Sequence, residues 1–274
     1  MAIITKITTQ KKAKDRYNIF IDDGKGERYA FSVHEDVLIS HNLQKGQEID
    51  EFDIEEISFN DDVTKAFQQS LVYLSYRMRA TSEVIQHLKE KEYEDAVIQE
   101  VIHKVTNLSY LNDEEFAVAY VNTNAKVSLK GPVVLKQELL QKKMPSRIIE
   151  HALSQYSFDH QVQYAKKYCD KTYKKTVTSS ERMQKQKITE ALIRKGFTQD
   201  VITIVLDESV PERDAQEEWV AICNMGEKAH RRYSKFNGWE YSQKMKQYLF
   251  QKGFPIDLIE QYLQSEDCPN PTID

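Results

Sequence analysis

Lys167, Lys171, Lys174 and Lys175 stand at intervals of four, seven and eight residues from the first of them, so on a helix they share one face. Val162, Ala165, Cys169 and Thr172 fall on the opposite face. The pattern predicts a helix over 161–175 with its cationic side in water and its other side packed. A row of ammonium groups does one kind of chemistry well. It binds a polyanion and releases condensed counterions, a contact that weakens steeply with salt. Lys126, Lys130, Arg182, Lys185 and Lys187 extend the stretch. Residues 126–195 hold sixteen Lys and Arg against six Asp and Glu, a local excess of ten in a chain whose formal net charge is -5. The contacts this favours are acidic protein surface or DNA phosphate. Tyr164, Tyr168 and Tyr173 are interleaved with the lysines, and such rings either stack on bases or fill the space between helices. A second cationic candidate is Arg77 and Arg79 beside Tyr73 and Tyr76, suited to partner contact or to salt bridges at a helix end.

Bond-making chemistry has no comparable signal. The seven histidines form no HxxxH or HExxH pair, Cys169, Cys223 and Cys268 form no CxxC pair, and GxSxG is absent. Paired carboxylates come freely with a surface this charged, so they do not mark acid and base work. Gly24 and Gly26 lie between two runs that alternate at period two, Tyr17, Ile19, Ile21 and Tyr29, Phe31, Val33. They read as the turn of a hairpin and not as a phosphate loop. The sequence therefore points to a binding protein that needs no metal and no cofactor. With 40% hydrophobic and 30% charged residues and no long apolar run, it reads as soluble, with reduced thiols. The lack of a signal-peptide pattern adds the expectation of a cytoplasmic protein.

The elements that carry these residues are legible in outline. An earlier run, Ile3, Ile4 and Ile7, could add a third strand to the hairpin, and an acidic stretch from Glu48 to Asp62 follows. Beyond it one pattern recurs four times without gaps, over 88–102, 139–153, 192–206 and 249–263. Leu opens each copy. Three residues on stand Lys91, Lys142, Lys195 and Lys252; five on stand Tyr93, Met144, Phe197 and Phe254; and Ile98, Ile149, Ile202 and Ile259 follow. This is a helix end, a tight turn and a new amphipathic helix. Gly196 and Gly253 sit where a left-handed residue is wanted, whereas Glu92 and Lys143 stand there in the first two copies, so those turns either bear strain or close differently. Copies begin 51, 53 and 57 residues apart, which leaves room for about three helices per unit. Asn112 with Glu115 predicts a helix start near Asp113, and Gly131-Pro132 predicts a break.

The expected fold is mainly α, an elongated array of about four tandem three-helix repeats behind a small N-terminal β-hairpin segment. The predicted divisions are 1–60 (β segment with acidic linker), 61–110, 111–157, 158–209 and 210–267 (repeats one to four), and 268–274 (tail).

The run Tyr73-Leu74-Ser75-Tyr76-Arg77-Met78-Arg79, continuing through Ser82-Glu83-Val84 to Leu88, and then Tyr110-Leu111-Asn112-Asp113-Glu114-Glu115-Phe116-Ala117, resembles the opening of the RecX family. The later Leu-x-x-Lys-Gly-Phe copies are similar to its remaining repeats. The resemblance covers about 67–263 and, with the β segment, is to the longer members from low-GC Gram-positive bacteria. It implies a cytosolic bacterial regulator, not an enzyme, that binds the RecA recombinase filament in its groove and suppresses ATP hydrolysis and strand exchange. The alternative is a stand-alone single-stranded-DNA-binding repeat protein that competes with RecA. A monomer is expected. Ala80 stands where members usually place Ser, leaving Thr81 and Ser82 as candidate caps, and the fourth repeat exceeds the shortest members.

Overall fold

The computed structural model describes residues 1–176 and 179–265. The side chains of Lys175 and Thr176, and Cys268 with the expected tail, fall outside the described residues. The chain divides into two compact units, Met1–Phe116 with Lys142–Met144, and Ala117–Gln141 with Pro145–Asp274.

The first unit opens with four strands, β1 (Ala2–Thr9), β2 (Arg16–Asp22), β3 (Glu27–His34) and the short β4 (Glu48–Ile49), paired antiparallel in the order β3-β2-β1-β4. Gly24 and Gly26 have φ of +93° and +105°, and the Asp22 carboxylate accepts both of their N–H groups. The run expected as a possible third strand is β1, which is central. Ile4, Ile19, Ile21 and Val33 bury one face of the sheet, which is the alternation read from the sequence.

After the short helix α1 (Glu35–Ser40), the acidic stretch expected as a linker is helical. It forms much of α2 (Glu51–Ser75). Asp50 accepts the Asp53 N–H and Asp53 accepts the Asp50 N–H, a reciprocal cap. Acidic residues in the first turn suit the positive end of the helix dipole. Ile57 packs in the sheet core, while Val63 and Ala66 pack with α3 (Thr81–Glu90) and α4 (Asp95–Asn107). One helix thus belongs to both the β segment and the first repeat. Asp61, on its buried side, accepts the His34 N–H at 2.7 Å and a two-pronged contact from Arg16 at 2.7 and 3.3 Å. Burial pushes this carboxyl up, but Arg16, Lys65 and the His34 N–H outweigh burial and hold it below the usual range.

Three more three-helix sets follow: α5 (Asp113–Ser128), α6 (Pro132–Gln141) and α7 (Ser146–Ser154); α8 (Phe158–Thr176), α9 (Glu181–Lys195) and α10 (Gln199–Ser209); α11 (Ala215–Tyr233), α12 (Gly238–Gln251) and α13 (Ile256–Gln264). The opening leucines, Leu88, Leu139, Leu192 and Leu249, are all fully buried. Truncating any one to Ala costs about 2–5 kcal/mol. The question left open at the turns is resolved by backbone geometry. Glu92 and Lys143 adopt φ of +64° and +58°, the same left-handed region as Gly196 and Gly253 at +86°. The first two turns keep the shape and bear the strain.

The sets are joined by a recurring contact within each unit. In the first, the Ser82 hydroxyl donates to the Lys142 carbonyl at 2.6 Å. In the second, Gly131 and Val133 N–H donate to the Lys195 and Gly196 carbonyls at 2.7 and 3.1 Å, and the Ser180 hydroxyl donates to the Lys252 carbonyl at 2.5 Å. Each donor lies at the start of a second helix, and each acceptor lies in a turn of the repeated pattern. The orphan carbonyls of a helix end are thereby used to bind the neighbouring repeat.

Candidate partner and nucleic-acid surface

Helix α8 carries the stripe read from the sequence. Ala165 and Cys169 are fully buried, Val162 packs against the same cluster, and Lys167, Lys171 and Lys174 are exposed. Among the described residues the last two make no ion pair, and Lys167 lies only over the Tyr164 ring, 5.4 Å from its centre. Burial, with the Asp170 charge adding to it, pushes the Cys169 thiol up to about 11, so the packed side of α8 holds no reactive thiolate. Lys175 belongs to this helix, but its side chain lies outside the described residues.

The interleaved tyrosines are half-buried. Tyr164, Tyr168 and Tyr173 pack on the core formed with α9 and α10. Tyr164 lies parallel to His160, and Tyr168 lies beneath the Lys195 ammonium, 5.0 Å from its ring centre. Their rings serve the space between helices, and stacking on a base would require their exposed edges or a shift of their neighbours.

The remaining cations differ in how far they are committed. Lys126 and Arg182 are exposed. Lys130 pairs with Glu138 at 2.6 Å, Lys185 pairs with Glu181 at 2.6 Å, and Lys187 donates to the Ser179 hydroxyl at 2.8 Å. Sequence spacing finds a cationic face but does not show which of its members is already paired.

In the opening motif both arginines are used internally. Arg77 pairs with Glu83 at 2.8 Å, and Glu83 also accepts the Ala80 N–H at 3.0 Å and faces Lys142 at 3.3 Å. Burial raises the Glu83 carboxyl, but these three donors outweigh burial and hold it at about 2. Thr81 and Ser82 do not cap their own helix. The Thr81 N–H goes to the Asp113 carboxylate at 2.8 Å, and Ser82 makes the inter-repeat contact. Arg79 lies 3.6 Å from the Tyr73 ring centre, and His87 stacks on Tyr73 at 3.9 Å with the planes 3° apart. Burial and the nearby Lys91 charge lower the His87 pKa. No group of three His, Cys, Asp or Glu among the described residues is placed to hold a metal ion, and no helix among them is long and apolar enough to cross a membrane.

The chain matches family models over most of its length: the regulatory protein RecX N-terminal domain over 2–50, the first three-helix domain over 66–104, the second over 112–153, and the third over both 159–206 and 216–263. The fourth repeat is therefore a second copy of the third type. Two curated relatives are regulatory proteins RecX of Bacillus cytotoxicus and Bacillus licheniformis. The first is 47% identical over 264 residues, 96% of this chain and 98% of the relative; the second is 48% identical over 266 residues, 97% of this chain and 100% of the relative. A crystal structure of regulatory protein RecX is similar with a TM-score of 0.66 at 36% identity, over 76% of this chain and all of that one. RecX from Lactobacillus salivarius is similar with a TM-score of 0.52 at 34% identity, over 54% of this chain and 97% of that one. Four family models in chain order, a matching repeat architecture and near-complete coverage by close relatives together lead to one conclusion: the chain belongs to the RecX family of regulatory proteins.

Proposed function

We propose that this protein regulates homologous recombination by binding the RecA recombinase filament in its helical groove, and that it inhibits ATP hydrolysis and strand exchange there. The observation that carries the reading is the exposed row Lys167, Lys171 and Lys174 on a helix whose other side is buried. It is a fixed cationic edge within a repeat protein of the RecX family. The row meets acidic recombinase surface or the phosphates of DNA held in the filament, and Lys126 and Arg182 add to it. The tandem repeats supply several weak contacts on one chain, so affinity builds by avidity and not by a single hot spot. The protein acts as a regulator and performs no catalysis of its own.

RecA ATPase on single-stranded DNA, titrated with this protein beside direct DNA binding at the same salt, tests the reading. Inhibition at concentrations well below those that coat free DNA supports a filament regulator. Inhibition that tracks saturation of the DNA makes the protein a competing DNA binder.

A further inference from the structure

A groove of about 810 Å³ runs through the first unit between the β segment and helices α2 and α3. Its charged lining is partly committed and partly not. Arg16 and Lys65 are committed to Asp61 at 2.7 and 2.9 Å. Lys91 is exposed and makes no ion pair among the described residues. Asp15 and Arg16, also in the lining, end the loop between β1 and β2, which is closed by Gln10 N–H to Arg16 carbonyl at 2.9 Å. That loop carries Lys11, Lys12 and Lys14, all exposed and likewise without an ion pair among the described residues. Lys91 therefore lines the groove, and the loop whose end lines it carries three more uncommitted ammonium groups.

Much of the remaining lining is aromatic and amide-bearing. Tyr76 stands 78% exposed, and His87 is fixed flat by its stack on Tyr73. Gln69 is exposed on α2, and the exposed Gln68 holds its amide nitrogen 2.9 Å from His34 Nε2. Ammonium groups spaced along an edge suit a phosphate backbone. Flat rings suit unstacked bases, and amides suit base edges. A duplex hides its base faces, so a groove built this way discriminates for single strands.

We propose that this groove is a single-stranded nucleic-acid site, with Lys11, Lys12, Lys14 and Lys91 on the phosphates and Tyr76 as a stacking platform. The site lies in a different unit from the α8 row and does not rest on the filament reading. It gives the β segment a recognition role. Asp15 is the one acidic residue in the lining, and it lies 3.5 Å from the His34 ring.

The test uses the full-length protein without any recombinase and a fluorescein-labelled oligo-dT of about thirty nucleotides, followed by anisotropy across a salt series. All the altered residues are exposed, so folding is retained, and circular dichroism verifies this. Lys11→Gln with Lys12→Gln and Lys14→Gln is expected to weaken binding at least tenfold near 0.1 M salt and to lower the salt slope by about 2. Tyr76→Ala is expected to weaken it about tenfold with the slope unchanged. An oligonucleotide bearing 5-iodouracil is expected to cross-link at Tyr76 or His87. Undetectable DNA binding by the wild-type chain, unchanged affinity and slope in both variants, or cross-links confined to α8 would each overturn the proposal. So would a loop variant that keeps its DNA affinity but loses binding to a protein partner. RecA inhibition that survives in the loop and Tyr76 variants would leave the filament reading standing on its own.

Discussion

The first and third repeats are copies of one pattern, yet they treat their charges and their turns in opposite ways. In the first, Arg77 is held by Glu83 and Arg79 lies on the Tyr73 ring, so the cations stabilise the fold. In the third, Lys167, Lys171 and Lys174 face solvent on α8, so the fold holds up cations it does not use. The turns reverse the contrast. Glu92 bears left-handed strain in the first, while Gly196 meets the same geometry without it in the third. Charge count favours the third region but does not show which of its cations are already paired. What separates them is whether each cation already has a partner.

The largest effect expected from this contrast is at the third-repeat turn. A Cβ at Gly196 would stand 2.5 Å from the Val134 nitrogen, at a φ of +86°. Gly196→Ala should therefore cost about 3 kcal/mol, through left-handed strain and overpacking together. Urea unfolding checks this, and a loss below about 1 kcal/mol would mean that the joint between Gly131 and Gly196 yields easily.

Next comes the ion cluster of the first repeat. The Glu83 carboxyl is held at about 2, below its ordinary 4.5. Its contribution is therefore complete above about pH 4.5 and is lost as pH falls toward 2. The side chain keeps a fifth of its surface in water, so screening limits the contribution to about 1–2 kcal/mol. Unfolding of Glu83→Gln compared with wild type across that window should show the difference shrink as acid is added. A constant difference would assign the effect to packing.

Arg79→Lys keeps the charge but loses the close guanidinium contact with the Tyr73 ring and the Nε donor to the Tyr73 carbonyl. It should cost about 1 kcal/mol of stability and leave partner affinity unchanged. Weaker partner binding at full stability would place Arg79 in an interface instead. The smallest effect is a gain: Glu92→Gly relieves the strained turn and should stabilise by about 0.5–1 kcal/mol, read as a raised midpoint of thermal unfolding.

Much of the fold was legible because the sequence repeats. The opening leucines, the turn residues and the following isoleucines mark each second and third helix, and the alternation over Tyr17–Ile21 and Tyr29–Val33 marks the hairpin. The acidic stretch misled because a run without Lys or Arg reads as a linker. Its aliphatic residues Ile54 and Ile57 meet the sheet core, while Val63 just after it meets the core of the first repeat, so no single stripe stands out. The inter-repeat contacts were not legible at all, since they use backbone carbonyls and the hydroxyls of Ser82 and Ser180, which carry no pattern. The cationic face of α8 could be read from spacing. The pairing of Lys130 with Glu138 and of Lys185 with Glu181, which withdraws those two cations, is decided by tertiary neighbours and helix rotamers.

The central claim is that the uncommitted row on α8 carries recognition of the recombinase filament. The direct measurement is the concentration needed to halve RecA ATPase, for wild type and for the Lys167→Glu, Lys171→Glu, Lys174→Glu variant, across a salt series. The account predicts that the variant keeps its helix content, needs at least tenfold more protein at about 0.1 M salt, and shows a shallower salt dependence. Equal inhibition by the two proteins at every salt concentration would contradict it.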